Sequence, residues 1–315
     1  MSDEITRRTF IKKSAVIGTS TIIGSKALSK ALDLNSGTAY AQGAVDVSVV
    51  QGENFFETTV KAVEQLGGMG RFVPKNSKVA ILPNAQRNNP GSYTSPDVVR
   101  AVINMCKDAG AEKVDCVTLQ RMSSWESMGY KEMFDSEGTG VIIANPRDDS
   151  HFKMVSVPKG KALKEAKLVK AFDDYDLFIN IPITKDHIGC KFTGTMKNMM
   201  GLNGNNRSFH KQNWTTDVDA IRFLEQCVAD LNTVVKPVLN IVDATVFITT
   251  NGPMGPGELA RPNKVIAGVD RVAVDAYCCT LWGLKPEDIF SFGYAKEHGL
   301  GENDLNKIKI METTI

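Results

Sequence analysis

Short blocks of apolar residues punctuate this chain. Their spacing switches between the continuous runs of buried strands and the three-to-four-residue recurrence of amphipathic helices. Lys78-Val79-Ala80-Ile81-Leu82 is such a run, followed by Pro83-Asn84 and a polar loop through Asn88-Asn89-Pro90-Gly91. Ser95 is placed to cap a helix, with Pro96 at its first position and Asp97 in its first turn. Val98, Val99, Val102, Ile103 and Cys106 continue it at helical spacing until Gly110. Further strands are predicted over 113–119, 140–144 and 176–182, the last strongly apolar and ending in Pro182. A long polar stretch, 183–211, interrupts the pattern. After it come a helix over 218–231, strands over 237–242 and 265–269, and a helix over 271–282. Short helices over 286–290 and 293–298 and a last strand over 307–311 follow.

Repeated strand, loop and helix units predict an α/β fold, a mostly parallel sheet covered by helices. Residues 42–315 are read as a single α/β domain, with lobes 42–175 and 176–315 as the alternative division. In such sheets ligands bind outside the carboxyl ends of the strands. Asn84, the stretch from Thr184 to His210, Asp243 with its following loop, and Asp270 are therefore the places to inspect.

The N-terminal residues Thr6-Arg7-Arg8-Thr9-Phe10-Ile11-Lys12-Lys13 have the twin-arginine export pattern. The apolar run after them, 15–24, is diluted by Thr19, Ser20 and Thr21 and falls short of the ~20 apolar residues that span a bilayer. Ala39-Tyr40-Ala41 offers small residues for cleavage. Residues 1–41 are read as a twin-arginine signal peptide cleaved after Ala41. That predicts a periplasmic or extracytoplasmic protein with no stable membrane span after cleavage.

Residues 1–41 hold six of the 37 Lys and Arg and three of the 36 Asp and Glu, which leaves 31 against 33 and a formal net of −2. A balance so close to neutral argues against nucleic acid as a partner. None of the six cysteines forms a C-x-x-C pair, so no clustered-cysteine motif announces a metal or iron–sulfur cluster. The cofactor is left open. Cys278 and Cys279 lie in an apolar helical pattern and are read as buried structural thiols.

The densest polar cluster runs from Thr184 to Gly201, with Arg207 and His210 after it. It holds two of the four histidines, His187 and His210, together with Lys185, Lys191, Lys197 and Arg207. Such cationic heads would converge on a small anion, a carboxylate or phosphate, with Asn84 and Asn198 as further ligands. Gly189 and Gly194 would let backbone amides approach it, and a helix starting near Met196 would add its N-terminus. The gap between these glycines imitates a phosphate-binding loop, but Thr195-Met196 stands where that motif needs Lys followed by Ser or Thr. His187 and Cys190 are the candidate metal ligands. Within the later loop Gly252-Pro253-Met254-Gly255-Pro256-Gly257, Gly252 and Gly255 permit close backbone approach to a ligand. Asp270 is placed to cap a helix, and Asp275 inside that helix to pair with a basic residue of the main loop.

Taken in order, several motifs resemble the domain of unknown function 362 family over residues 79–311. They are Asn180-Ile181-Pro182, Lys185-x-His187, Lys197-Asn198-x-x-Gly201, Asp243, the Gly252 to Gly257 loop, Asp270-Arg271-Val272-Ala273-Val274-Asp275-Ala276 and Gly299-Leu300-Gly301. The resemblance implies no settled activity. Some members of that family carry an added ferredoxin-like segment with clustered cysteines, which this sequence lacks. The pattern is also similar, at the level of fold, to the nickel-pincer lactate racemases, which use lysine and histidine on small hydroxy acids.

Two functions follow as expectations. One is an enzyme acting on a small anion, with Lys185, Lys197 and Arg207 holding it, His187 or His210 moving a proton, and Asp243 orienting the base. The other is a non-catalytic periplasmic protein, either a redox or iron–sulfur/metal-associated partner or a binding module, exported folded with a cofactor ligated by Cys190, His187 or the Cys278-Cys279 pair, or with a co-exported or redox partner protein.

Overall fold

The computed structural model describes residues 45–119 and 125–315, so the export signal expected over 1–41 lies outside the described residues. The chain enters through strand β1 (Val47–Gln51) and helix α1 (Phe55–Glu64). Next come β2 (Lys78–Pro83), α2 (Pro96–Asp108), β3 (Lys113–Thr118), α3 (Tyr130–Ser136) and β4 (Gly140–Ile143). A hairpin of β5 (Phe152–Ser156) and β6 (Glu165–Val169) leads into β7 (Leu177–Ile181). A second hairpin, β8 (Lys185–His187) with β9 (Lys191–Thr193), precedes the four-residue helix α4 (Thr195–Asn198). Then follow α5 (Val218–Asn232), β10 (Leu239–Ala244), the short pair β11 (Phe247–Ile248) and β12 (Leu259–Ala260), and β13 (Lys264–Gly268). Helices α6 (Arg271–Thr280) and α7 (Phe290–Glu297) and strand β14 (Ile310–Thr314) come last.

Eight strands form one sheet in the order β14-β1-β13-β10-β7-β2-β3-β4. Five of its seven neighbouring pairs are parallel, and β13 runs antiparallel to both β1 and β10. The sheet is thus mostly parallel, as the strand and helix alternation implies. Because β1 lies between β13 and β14, residues on both sides of position 175 share this one sheet.

Alternation along each strand sends side chains to two separate cores. Val79 and Ile81 of β2 pack under α1, α2 and α3, whereas Ala80 and Leu82 pack on the opposite face with α5, α6 and α7. Helix α2 starts where its sequence says it should: the Ser95 side chain accepts from the Asp97 amide, and Pro96 fills the first turn. The Asp270 carboxylate likewise caps α6 by accepting from Val272 and Ala273. No helix among the described residues is long and apolar enough to cross a membrane.

Three expectations change. The last strand begins at Ile310, after a 3-10 turn over Leu305–Lys307, because it must align with β1 rather than with its own apolar residues. Residues 286–288 form only a 3-10 turn, and the next helix starts at Phe290. The polar stretch 183–211 is structured: Lys185 and His187 are buried while Asp186 between them is half-buried, an alternation that makes a strand out of polar residues.

Candidate functional site

Beyond β7 the chain stays beside β10, where Ile183 bridges Asp243 and the Thr184 amide donates to the Asp243 carbonyl at 3.0 Å. This path delivers Lys185 over the carboxyl end of β2, next to Asn84. A cavity of about 630 Å³ opens there, walled by the β8–β9 hairpin, α4, the segment 206–214 and the Pro253-Met254 turn. Lys185, His187, Lys197 and His210 line it, with Arg207 and Lys211 exposed at its rim. Asn84, Thr193, Asn198 and Trp214 add polar and aromatic surface, and no Asp or Glu is among the described residues lining it.

Lys185 is only 1 % exposed. Its Nζ donates to Asn84 Oδ1 at 3.0 Å and to the Ser92 carbonyl at 2.6 Å, and it makes no ion pair among the described residues. Burial without a counter-charge pulls the amine down to about 7. At neutral pH it is thus divided between ammonium and free amine.

A line of four buried asparagines holds Asn84 in place. The Asn84 amide nitrogen donates to Asn198 Oδ1 (2.9 Å), that of Asn198 to Asn180 Oδ1 (2.8 Å), and that of Asn180 to Asn240 Oδ1 (3.0 Å). Asn240 ends the line on the carbonyls of Gly268 and Val269. Asn198 and Asn180 also donate to the Leu82 and Thr195 carbonyls. Carbonyls only accept, so every amide in the line is orientated the same way and Asn84 must present oxygen to Lys185. Asn180 and Asn240 were not among the sequence candidates. Their signal was present: each is a lone amide inside an apolar strand, Ile179-Asn180-Ile181 and Leu239-Asn240-Ile241, where burial demands partners.

The two histidines hold opposite tautomers. His187 Nδ1 accepts from the Gly189 and Cys190 amides at 3.3 and 3.2 Å, so its proton sits on Nε2. Burial, reinforced by Lys197 and Lys185, holds His187 well below the usual histidine range, and it stays neutral. It can donate from Nε2 but is not a base. His210 Nδ1 faces the Asn206 carbonyl at 2.9 Å and must carry the proton, which leaves Nε2 as the basic nitrogen. Burial also lowers His210. Trp214 packs against both rings, 5.7 Å from His187 and 4.5 Å from His210 between centroids.

Other candidates serve the scaffold instead. Asp243 does not line the cavity; its carboxylate accepts from the Ser95 amide (2.6 Å) and from the Thr245 amide and hydroxyl (2.9 and 2.6 Å). It therefore secures the entry to α2 rather than orienting a base. Lys191 is exposed at the turn of the β8–β9 hairpin, outside the cavity lining. Gly189 spends its amide on His187. The amides of Thr195 and Met196, at the start of α4, go to the Asp275 carboxylate at 2.6 and 3.0 Å, so these two are not left for an anion. Asp275 thus pairs with backbone amides, not with a lysine. Gly194 leaves room for that carboxylate, since a Cβ there would lie 2.3 Å from Asp275 Oδ1.

Gly252 and Gly255 shape their loop, and it is Pro253 and Met254 that reach the cavity. The Gly252 amide donates to Asp186 Oδ2 at 2.7 Å, and a Cβ on Gly252 would lie 1.8 Å from the Asp186 carbonyl oxygen. Gly252→Ala is expected to cost roughly 1–3 kcal/mol in urea unfolding, because the loop must leave the hairpin to relieve that clash. Unchanged stability would show that the two segments are not docked as described.

The Cys190 thiol lies next to Lys197 Nζ (3.4 Å), in a separate pocket of about 20 Å³ that Glu225 also lines. Burial pushes Cys190 up to about 11, Cys279 up to about 12 and Cys278 well upward, so none is a ready thiolate. With His187 Nδ1 occupied, His187 and Cys190 gain no third partner: among the described residues no group of three His, Cys, Asp or Glu side chains is arranged to hold a metal ion. Cys278 and Cys279 are buried in α6, as their apolar context implies.

A family model described as a domain of unknown function, DUF362, matches residues 79–280. A thylakoid-associated protein of Synechocystis sp. is 27 % identical over 247 residues, covering 76 % of this chain and 73 % of that protein. Among solved structures, the lactate racemase apoprotein from Thermoanaerobacterium thermosaccharolyticum aligns at 13 % identity with a TM-score of 0.49, over 76 % of this chain and 57 % of that one. A Thermotoga maritima protein aligns at 14 % identity with a TM-score of 0.40, over 60 % of this chain and 50 % of that one. The chain spans only about half the length of these two structures, and no residue role transfers at that level of likeness.

Proposed function

The chain belongs to the DUF362 family, a domain of unknown function, and on that premise we propose that its cavity binds a small organic anion and moves a proton on it. The observation that carries this reading is the lining: four Lys and Arg side chains and two histidines around one cavity, with no acidic residue among the described residues there. Cations gathered around one cavity attract an anion. Arg207 offers a planar fork that suits a carboxylate or phosphate, and Lys197 adds a point charge. Thr193 also lines the cavity, and its buried hydroxyl has no partner among the described residues.

The opposite tautomers divide the proton work. His187 donates a hydrogen bond from Nε2 to the ligand, and His210 Nε2 is the base. Calorimetric titration with acetate, glycolate and phosphate tests binding, and NMR of solvent-deuterium exchange into the bound carboxylate tests proton movement. Arg207→Ala should weaken binding about tenfold or more, and added salt should weaken it further in the wild type. His210→Asn should leave affinity nearly unchanged while abolishing exchange. Since burial lowers His210, exchange should persist as the pH falls through 6.5 and be lost only below that, when Nε2 takes up a proton. If none of these anions binds saturably, the reading fails.

A further inference from the structure

We propose that the Lys185 amine is a nucleophile that forms an imine with the carbonyl carbon of a small 2-oxo acid, whose carboxylate is held by Arg207 and Lys197. The inference rests on the anion reading above and names the class of anion.

The geometry around Nζ suits a neutral amine. A neutral amine has two N–H bonds and one lone pair. Here two acceptors stand around Nζ, Asn84 Oδ1 and the Ser92 carbonyl. The asparagine line prevents Asn84 from turning its NH2 group toward the lysine, because its amide nitrogen is committed to Asn198 and the line ends on backbone carbonyls. With both N–H groups spent on these acceptors, the remaining tetrahedral position carries the lone pair. Lys185 lines the cavity, and the rest of its side chain is buried. An ammonium at the same place would hold a third N–H, and no carboxylate among the described cavity residues is there to take it. The fall of Lys185 to about 7 agrees, since about half the molecules then carry free amine at neutral pH.

The surrounding groups supply the rest of the chemistry. Nζ adds through its lone pair to the substrate carbonyl carbon, and the C=O π electrons move onto oxygen. The His187 Nε2–H stabilises that oxygen by donating to it. His210 Nε2 takes one proton from the nitrogen and delivers it to the oxygen, giving a neutral carbinolamine. His210 Nε2 then takes the second proton from the nitrogen and passes it to the hydroxyl, which leaves as water as the C=N bond forms. One amine and one ketone become one imine and one water, and nothing is oxidised or reduced. A proton taken up from solvent makes the imine an iminium, which draws electrons from the neighbouring carbon and acidifies its C–H. That is the proton His210 then moves.

The test is reductive trapping. The purified protein is incubated with pyruvate and sodium cyanoborohydride, and the modified residue is found by intact mass and peptide mapping. Calorimetric titrations with pyruvate and acetate run in parallel. The expected result is one adduct per chain, on Lys185, formed on the order of a hundredfold faster than on any exposed lysine. Lys185→Met should lose that adduct, with the slow background modification of exposed lysines unchanged. Asn84→Asp places a carboxylate beside the amine, favours the ammonium, and should shift the pH profile of trapping upward. Binding of both acids with no adduct, or with adducts spread over exposed lysines, would overturn the imine and leave the anion site standing. If neither acid binds, both readings fall together.

Discussion

Asp275→Ala will cost the protein roughly 3–5 kcal/mol and take anion binding with it. The Asp275 carboxylate is fully inside the protein and accepts from the Thr195 and Met196 amides at 2.6 and 3.0 Å. Its removal strands two buried donors, each worth about 1–3 kcal/mol when left unpaired. Those amides begin α4, the four-residue helix that carries Lys197 into the cavity and Asn198 into the asparagine line. The loss therefore passes directly from stability to binding. Urea unfolding and calorimetry on the same variant measure both, and an effect on only one would break the proposed link.

The pH dependence has a definite sign. Burial, working against the two amides and Arg271, pushes Asp275 up to about 6, above the ~3.9 of an unfolded aspartate. Between those values the folded chain holds more protons than the unfolded one. Relative to Asp275→Asn, the wild type should gain roughly 3 kcal/mol as pH falls from about 6 to ~4. A drift the other way would show that the ionised form is the favoured one in the fold.

Lys185 provides the second large effect, on the alkaline side. Its folded value of about 7 lies below the ~10.4 of an unfolded lysine. Across that window the unfolded chain binds the extra proton, so stability rises with pH. The penalty for the charged amine is present in full below about pH 7 and is gone above ~10.4. Lys185→Met removes this titration. The difference in unfolding free energy should therefore move in favour of the wild type by on the order of 4 kcal/mol between about pH 7 and ~10.4. A difference that stays flat would mean that Lys185 keeps an ordinary ammonium in the fold, and the imine proposal would lose its free amine.

Several parts of this protein were already determined by its local sequence. The buried run at 78–82 and the Ser95-Pro96-Asp97 helix start act over a few residues, through side-chain alternation and a single capping bond, and both stand in the structure. The strand and helix alternation implied a mostly parallel sheet, and the motifs taken in order pointed to the family that the 79–280 match shows. The crowding of Lys185, His187, Lys197, Asn198, Arg207 and His210 after one strand marked the region of the cavity.

Tertiary structure alone decided which members of that crowd share the cavity and in what protonation state. Lys191 is only four positions from His187, yet the hairpin turn sends it to solvent. Lys185 meets Asn84 and Ser92, which lie 101 and 93 positions away, and Asp275 reaches α4 across 80 positions. The tautomers of the histidines and the poise of Lys185 depend on burial and on these distant acceptors. A charge or a proton position is set by everything within a few ångströms in space, and the order of residues along the chain does not carry that information.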